Sequence, residues 1–384
     1  MMTKVQWLAR HLAAILSVVI AAGATPAAAA DVKFGGLIFG QYGMYMSKTT
    51  SAYVPLRGKG EFDITRIYVT GEGKFSPTVK GKIVIEGNGT SNASADSHKA
   101  NQVFLKNAFI TWMPLEPLSL DAGMISMPWI SFEEKIWGRR FVQKVYTDQQ
   151  SMLNSADKGI GVLYTIPKGY GDVHAVYVNG EGYAVQETAT GDGRYKDAGL
   201  RISITPVPEN EWVGGVKLHM YVQNGQIGSS EAKRRDRYLA GISYQGAKGH
   251  LMYSAVKSYT GNNTATSGNA AGIYVPTAGS NNRRTWGQSL HGSYKVFKSA
   301  SVFGRYDYFS VEAARLSAVN ATTTDTDSFS RGILGVDYKL AEGVTISLND
   351  QWLTPNNRPS GKATPTAQVK NNENQILLQF EAKF

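Results

Sequence analysis

The sequence predicts an all-β fold: a transmembrane antiparallel β-barrel of about 16 strands, closed by short turns at one end and long loops at the other. Three observations carry this. The chain opens on an export leader with no second long apolar span, strict two-residue alternation recurs along it, and its connections alternate between short and long.

The leader comes first. Residues 1–30 begin with Lys4, Arg10 and His11, run through the apolar stretch Leu12 to Ala22 and end in Ala28-Ala29-Ala30. A basic start, a short apolar core and small residues before a cut mark a secretory signal peptide, so the barrel is expected over 31–384. The apolar core falls short of the ~20 residues that a spanning helix needs. No later stretch is long and apolar enough for one, so any membrane crossing is by strands. The chain has no cysteine, which excludes disulfides, thiolate metal sites, cysteine nucleophiles and attached c-type haem. Without Lys4 and Arg10, the 40 basic residues become 38 against 30 acidic ones. A basic balance suits nucleic acid, membrane phosphate or small anions, and export makes nucleic acid the poorest fit.

The strands come next. In the last one, Ile376, Leu378, Phe380, Ala382 and Phe384 alternate with Gln375, Leu377, Gln379, Glu381 and Lys383. Period-two alternation gives a strand one oily and one wet face. Ala198, Leu200, Ile202 and Ile204 do the same against Asp197, Gly199, Arg201 and Ser203, and Val302, Gly304, Tyr306 and Tyr308 against Phe303, Arg305, Asp307 and Phe309. Such segments begin near Val32, Glu61, Val79, Val103, Leu118, Lys158, Gly171, Lys196, Val213, Asp236, Gly249, Arg284, Ala300, Ser328, Val344 and Asn374. Each is about ten residues long, the length a tilted strand needs to cross a bilayer.

Between the strands, short turns fall at 76–78, 114–117, 167–170, 246–248, 297–299 and 341–343. Long polar connections fill 47–60, 88–102, 129–157, 260–283, 312–327 and 354–372. A soluble sandwich has no reason to sort its loops by parity, whereas an outer-membrane barrel does. Closure is also a physical need, since an open sheet edge in hydrocarbon leaves backbone groups unpaired. Tyr45, Trp112, Trp129, Tyr259, Trp286, Trp352 and Phe384 stand near strand ends and suit interfacial girdles.

Several stretches resemble the phosphate-selective porin O and P family of Gram-negative bacteria: FDITRIYVTGEGKF from Phe62, LSLDAGMISMPW from Leu118, VYVNGEG from Val176, KDAGLRISITP from Lys196 and VFGRYDY from Val302. The terminal Phe384 on an alternating strand is similar to the signal by which the barrel-assembly machinery recognises its clients. The resemblance implies a sixteen-stranded, homotrimeric porin of the cell outer membrane, with a third long loop folded into the lumen. It does not by itself carry phosphate specificity.

The wet faces present Arg66, Lys82, Arg201, Arg305 and Arg331 among their bases, against Glu72, Glu86, Asp307 and Asp337 among their acids. Rings of basic side chains in a pore favour anions over cations. Bracing ion pairs, Arg305 with Asp307 and Arg331 with Asp337, are an equal reading. The third long loop contains FEEKIWGRRFVQKVY at 132–146. Phe132, Ile136, Trp137, Phe141, Val142 and Val145 fall near helical spacing, leaving Glu133, Glu134, Lys135, Arg139, Arg140 and Lys144 largely opposite. A short amphipathic helix there aims Arg139, Arg140 and Lys144 at the opening, or at lipopolysaccharide if the loop stays outside. The run KRRDR at 233–237 reads as a solvated outer rim meeting lipopolysaccharide phosphates.

Catalytic signals are lacking. The histidines His98, His174, His219, His250 and His291 show no metal-ligand spacing, and no GxSxG elbow occurs. The sequence therefore predicts a passive, anion-preferring porin for small hydrophilic solutes, phosphate among the candidates, with no cofactor, no metal and no enzymatic step. A structural or adhesive barrel with a plugged lumen, or a barrel sheathing an electron-transfer partner, are the alternatives.

Overall fold

The computed structural model describes residues 31–47, 58–89, 101–184, 195–227, 233–260, 283–316, 322–357 and 373–384. The leader, and most of the connections expected at 47–60, 88–102, 260–283 and 354–372, lie outside them.

Sixteen strands form one closed antiparallel barrel in which each strand pairs with its neighbours in sequence and β1 closes on β16. They are β1 Asp31–Ser47, β2 Gly60–Lys74, β3 Val79–Gly89, β4 Asn101–Leu115, β5 Leu118–Ser126, β6 Ala156–Ile166, β7 Gly171–Val178 and β8 Asp197–Ile204. The second half comprises β9 Val216–Ile227, β10 Lys233–Gly246, β11 Gly249–Thr260, β12 Arg283–Lys295, β13 Ala300–Leu316, β14 Thr322–Ala341, β15 Val344–Asn357 and β16 Glu373–Lys383.

The alternation decides which way each side chain points. On β14, Leu334, Val336, Tyr338 and Leu340 face outward with 50 to 62 % of their surface exposed, while Ile333 and Asp337 face inward and are buried. The same inversion holds on β13, where Phe303, Arg305, Asp307 and Phe309 are buried and Val302 and Tyr306 exposed. An apolar exterior of this extent suits a hydrocarbon surrounding, because in water it would be a large uncovered patch.

The seam relies on glycine. The backbone of Phe384 exchanges both hydrogen bonds with Gly36, at 2.8 and 3.0 Å. A Cβ on Gly36 would lie 2.3 Å from the Phe384 ring and one on Gly40 2.3 Å from the Phe380 ring. Bare backbone on β1 thus makes room for the aromatic rings of β16.

The fold departs from several expectations. The connection expected over 312–327 is mostly ladder: β13 and β14 continue pairing to Leu316 opposite Thr322. The KRRDR run is not a loop but the start of β10, so its residues alternate; Arg235 and Arg237 are buried inside and Arg234 is exposed outside. The strand expected at Val213 begins at Val216, because the Asn210 side chain accepts from the backbone N–H groups of Trp212 and Val213 and prolongs the turn. Trp129, expected in a girdle, is fully buried inside.

Candidate functional site

The connection between β5 and β6 builds the site. It folds as two helices, α1 Ile130–Trp137 and α2 Tyr146–Gln149, in place of the single amphipathic helix expected. Gly138, in the left-handed conformation with φ 63°, ends α1 and donates to the Glu134 carbonyl. This glycine stop turns the chain before Arg139 and Arg140, so helical spacing does not extend across them.

One side of the connection is glued to the wall. Trp129, Ile130, Trp137, Phe141, Val145 and Tyr146 form one buried cluster with Leu239, Met252, Val256, Phe303, Phe309 and Ile333, which the strands turn inward. Polar contacts fix the docking. Arg237 donates to the Met152 carbonyl at 2.7 Å, and Gln351 and Gln379 reach carbonyls at Phe141 and Val142. Glu133, expected on the wet side of the helix, is fully buried instead. Its carboxylate accepts from Trp129 Nε1 at 2.9 Å and from the Ser254 hydroxyl at 3.0 Å. Burial pushes its pKa up to about 7, against the pull of nearby Arg305 and those two hydrogen bonds.

The other side faces an opening of about 430 Å³ lined by Arg66, Arg140, Lys144, Asp148, Gln41 and Gln149 among others. Arg140 Nε lies 2.6 Å from Glu134 and Lys144 Nζ 3.4 Å from Asp148. Across the opening, Glu86 on β3 is buried and holds both Arg66 on β2 and Lys106 on β4, the latter at 2.8 Å. Lys106 also lies 5.0 Å from the centroid of the Tyr68 ring. Lys144 is held below the ordinary lysine pKa, first by burial and then by repulsion from Arg140, Arg66 and Lys106, with Asp148 opposing. Three bases thus line one opening, and Lys106 stands behind them on Glu86.

Of the eight residues singled out from the sequence, Arg66, Arg140 and Lys144 meet here. Arg139 points the other way: its Nε is 2.6 Å from Asp337 and its guanidinium lies over the Phe303 ring. Arg305 pairs with Asp307 at 2.6 Å and donates to the Lys144 carbonyl at 2.5 Å. Arg331 sits across the sheet from Asp307, and the Arg331–Asp337 pair is replaced by Arg139–Asp337. Arg201 pairs with Asp172 at 2.5 Å and lies over the Phe132 ring. Lys82 pairs with Glu72 at 2.7 Å, exposed near the short-turn end.

Sequence reasoning missed Lys106. It is the extra residue where Val84 and Ile85 face Asn107 and Leu105, and such a bulge breaks the alternation that assigns faces. The histidines His219, His250 and His291 all face inward; His219 lies within 3.0 Å of the hydroxyls of Ser203 and Ser243. Among the described residues, no group of three or more His, Asp or Glu is placed to hold a metal ion.

No known family model matches the sequence, and no curated protein does. Solved structures do match in fold. The anion-selective porin from Comamonas acidovorans is 12 % identical with a TM-score of 0.60, over 92 % of this chain and 100 % of that one. OmpF of Salmonella typhi, in complex with daunomycin, is 12 % identical with a TM-score of 0.57, over 92 % and 97 %. The trimer form of OmpT, an outer membrane protein of Vibrio cholerae, is 13 % identical with a TM-score of 0.55, over 93 % and 100 %. At such identity the likeness establishes the fold: a closed sixteen-stranded antiparallel barrel of the outer-membrane porin type.

Proposed function

We propose that the chain is a porin of a Gram-negative outer membrane, through which small hydrophilic solutes diffuse passively with a preference for anions. The carrying observation is that Arg66, Arg140 and Lys144 line one opening between the docked loop and the barrel wall, with Lys106 behind Arg66 on the shared Glu86. Fixed positive charge between low-dielectric walls lowers the barrier for anions and raises it for cations. Glu86, Glu134 and Asp148 hold these bases in place while leaving a positive excess, which suits transit better than tight capture. Arg139, Arg305 and Arg331 contribute through the position of the loop, and Arg201 and Lys82 through the wider field of the lumen. Size, hydration and charge do the selecting, with no cofactor and no catalytic step.

The reading extends to a phosphate-selective channel of the O and P type, in which phosphate is one of the anions that lodge at this opening. It also extends to removal of residues 1–30 on export, delivery to the barrel-assembly machinery through the strand ending at Phe384, a homotrimeric assembly, and lipopolysaccharide as the outer neighbour. The resemblance of the sequence and the trimeric neighbour in fold support these steps.

The test is a planar-bilayer recording across a KCl gradient. The expected reversal potential has the sign of anion preference, and added phosphate is expected to reduce chloride current. A cation-preferring potential would overturn the selectivity. Absence of conductance would move the chain to the plugged or adhesive class.

A further inference from the structure

The outward surface is apolar over most of its height but not at the long-loop end of β10, β11 and β12. There Arg234, Lys257 and Arg284 all face outward and are exposed. The register brings them together: Tyr259 on the middle strand faces Asp236 on one side and Arg284 on the other, and Lys257 faces Tyr238 and Trp286. The guanidinium of Arg234 lies 5.7 Å from the centroid of the Tyr259 ring and that of Arg284 lies 6.0 Å from it. Two like charges are therefore gathered at one ring. Asp236, paired with Arg234 and hydrogen-bonded by Asn224, is the carboxylate facing them. Glu312 stands opposite Arg284 in the ladder, and three bases against two acids leave the cluster positive.

Charge on the lipid side of a barrel is costly at mid-height and nearly free at the interface, so these positions fit headgroup depth. Directly below them, Tyr238, Trp286 and Leu290 present exposed apolar surface of the kind an acyl chain covers. A free anion would use the bases alone; bases above an apolar wall fit a ligand that has both parts.

We propose that this cluster is a binding site for the phosphorylated headgroup of an outer-leaflet glycolipid. Arg234 and Arg284 grip a phosphate from either side of Tyr259, and Lys257 neutralises it from below. The two guanidiniums supply planar donor forks suited to phosphate oxygens. The inference rests on the outer-membrane reading above. It narrows the basic run at 233–237 to its outward residue, Arg234, and adds two bases from neighbouring strands.

The test uses the full chain, folded and delipidated in detergent, with native mass spectrometry of bound lipid. Bisphosphorylated lipid A is expected to remain bound to the unaltered protein, and the triple variant Arg234→Gln, Lys257→Gln, Arg284→Gln is expected to lose at least tenfold in occupancy. Lipid A stripped of phosphate is expected to bind the unaltered protein as weakly as the intact lipid binds the variant. Equal occupancy in variant and unaltered protein, or indifference to the phosphates, would overturn the site. Displacement of the lipid by millimolar inorganic phosphate would overturn the glycolipid assignment in favour of a free-anion site. Conductance and heat-resistant mobility of the variant report that the barrel is intact. Unaltered protein that conducts but holds no lipid sinks this inference alone, whereas protein that neither conducts nor fractionates with outer membrane sinks the porin reading with it.

Discussion

Arg139 and Arg140 are adjacent in sequence and lie on opposite sides of the same loop. Arg139 is buried against Asp337 and the Phe303 ring, behind the connection; Arg140 lines the opening with Arg66 and Lys144. Behind the loop, Arg139 and Arg305 are each matched to a carboxylate and packed on aromatic rings, Arg305 with Asp307 and Trp137. In front of it, the bases outnumber the acids and border open volume. The same residue type therefore sits in two settings: pairing and burial make an arginine a clamp, and access to the opening adds its charge to the field there.

This contrast can be broken most strongly from behind. Arg139→Ala leaves the Asp337 carboxylate buried without its partner, which typically costs about 3–5 kcal/mol. The expected result is a loosened loop, read as faster protease cleavage within 130–155, with recovery when Asp337→Asn is added. A cleavage rate unchanged by the single substitution would mean that Arg139 does not clamp.

Glu133 gives the next largest effect, and it depends on pH. Its carboxyl is raised to about 7 by burial, above the ordinary value of 4.5, so the docked loop holds a proton that the undocked loop releases. Its contribution is therefore full below the ordinary carboxylate range and is lost as pH rises through about 7, by on the order of 3 kcal/mol in all. Tyr146, Arg305 and Asp307 are the titratable neighbours that tune it. Glu133→Gln should flatten the dependence of loop cleavage on pH between 5 and 8. A slope as steep as in the unaltered chain would place the titrating group elsewhere.

In front of the loop, Arg140→Glu is expected to shift the anion-to-cation permeability ratio several-fold toward cations, roughly 1 kcal/mol. If instead Arg139→Glu moved selectivity and Arg140→Glu did not, the roles of the two arginines would be exchanged. The smallest effect is expected at Lys82, whose pair with Glu72 is exposed on both sides. Lys82→Ala should alter the midpoint of urea unfolding by less than about 1 kcal/mol in free energy.

The barrel was legible in the sequence because its two-sided environment leaves a mark on every second residue: Leu334 to Leu340 outward and Arg305 to Phe309 inward come directly from alternation. The loop residues were legible as a cluster but not as two sides. Helical spacing treats 132–145 as one helix, whereas the left-handed Gly138 ends it at Trp137 and sends Arg139 and Arg140 to opposite faces of the loop. Glu133 illustrates the same limit. A carboxylate reads as solvent-facing until the fold supplies Trp129 and Ser254 as donors, and Ser254 is 121 residues away. Lys106 was hidden for a different reason, since a bulge shifts the phase by one residue and nothing in the local sequence announces it.

The seam has a consequence for the order of the chain. Because Phe384 exchanges backbone hydrogen bonds with Gly36 just as interior strands do with theirs, the junction of first and last strand is one more ladder in a ring. A ring has no privileged starting point. Joining Phe384 to Asp31 through a short linker and reopening the chain in the exposed turn near Trp212 would leave all sixteen ladders intact, so a circularly permuted barrel should still close.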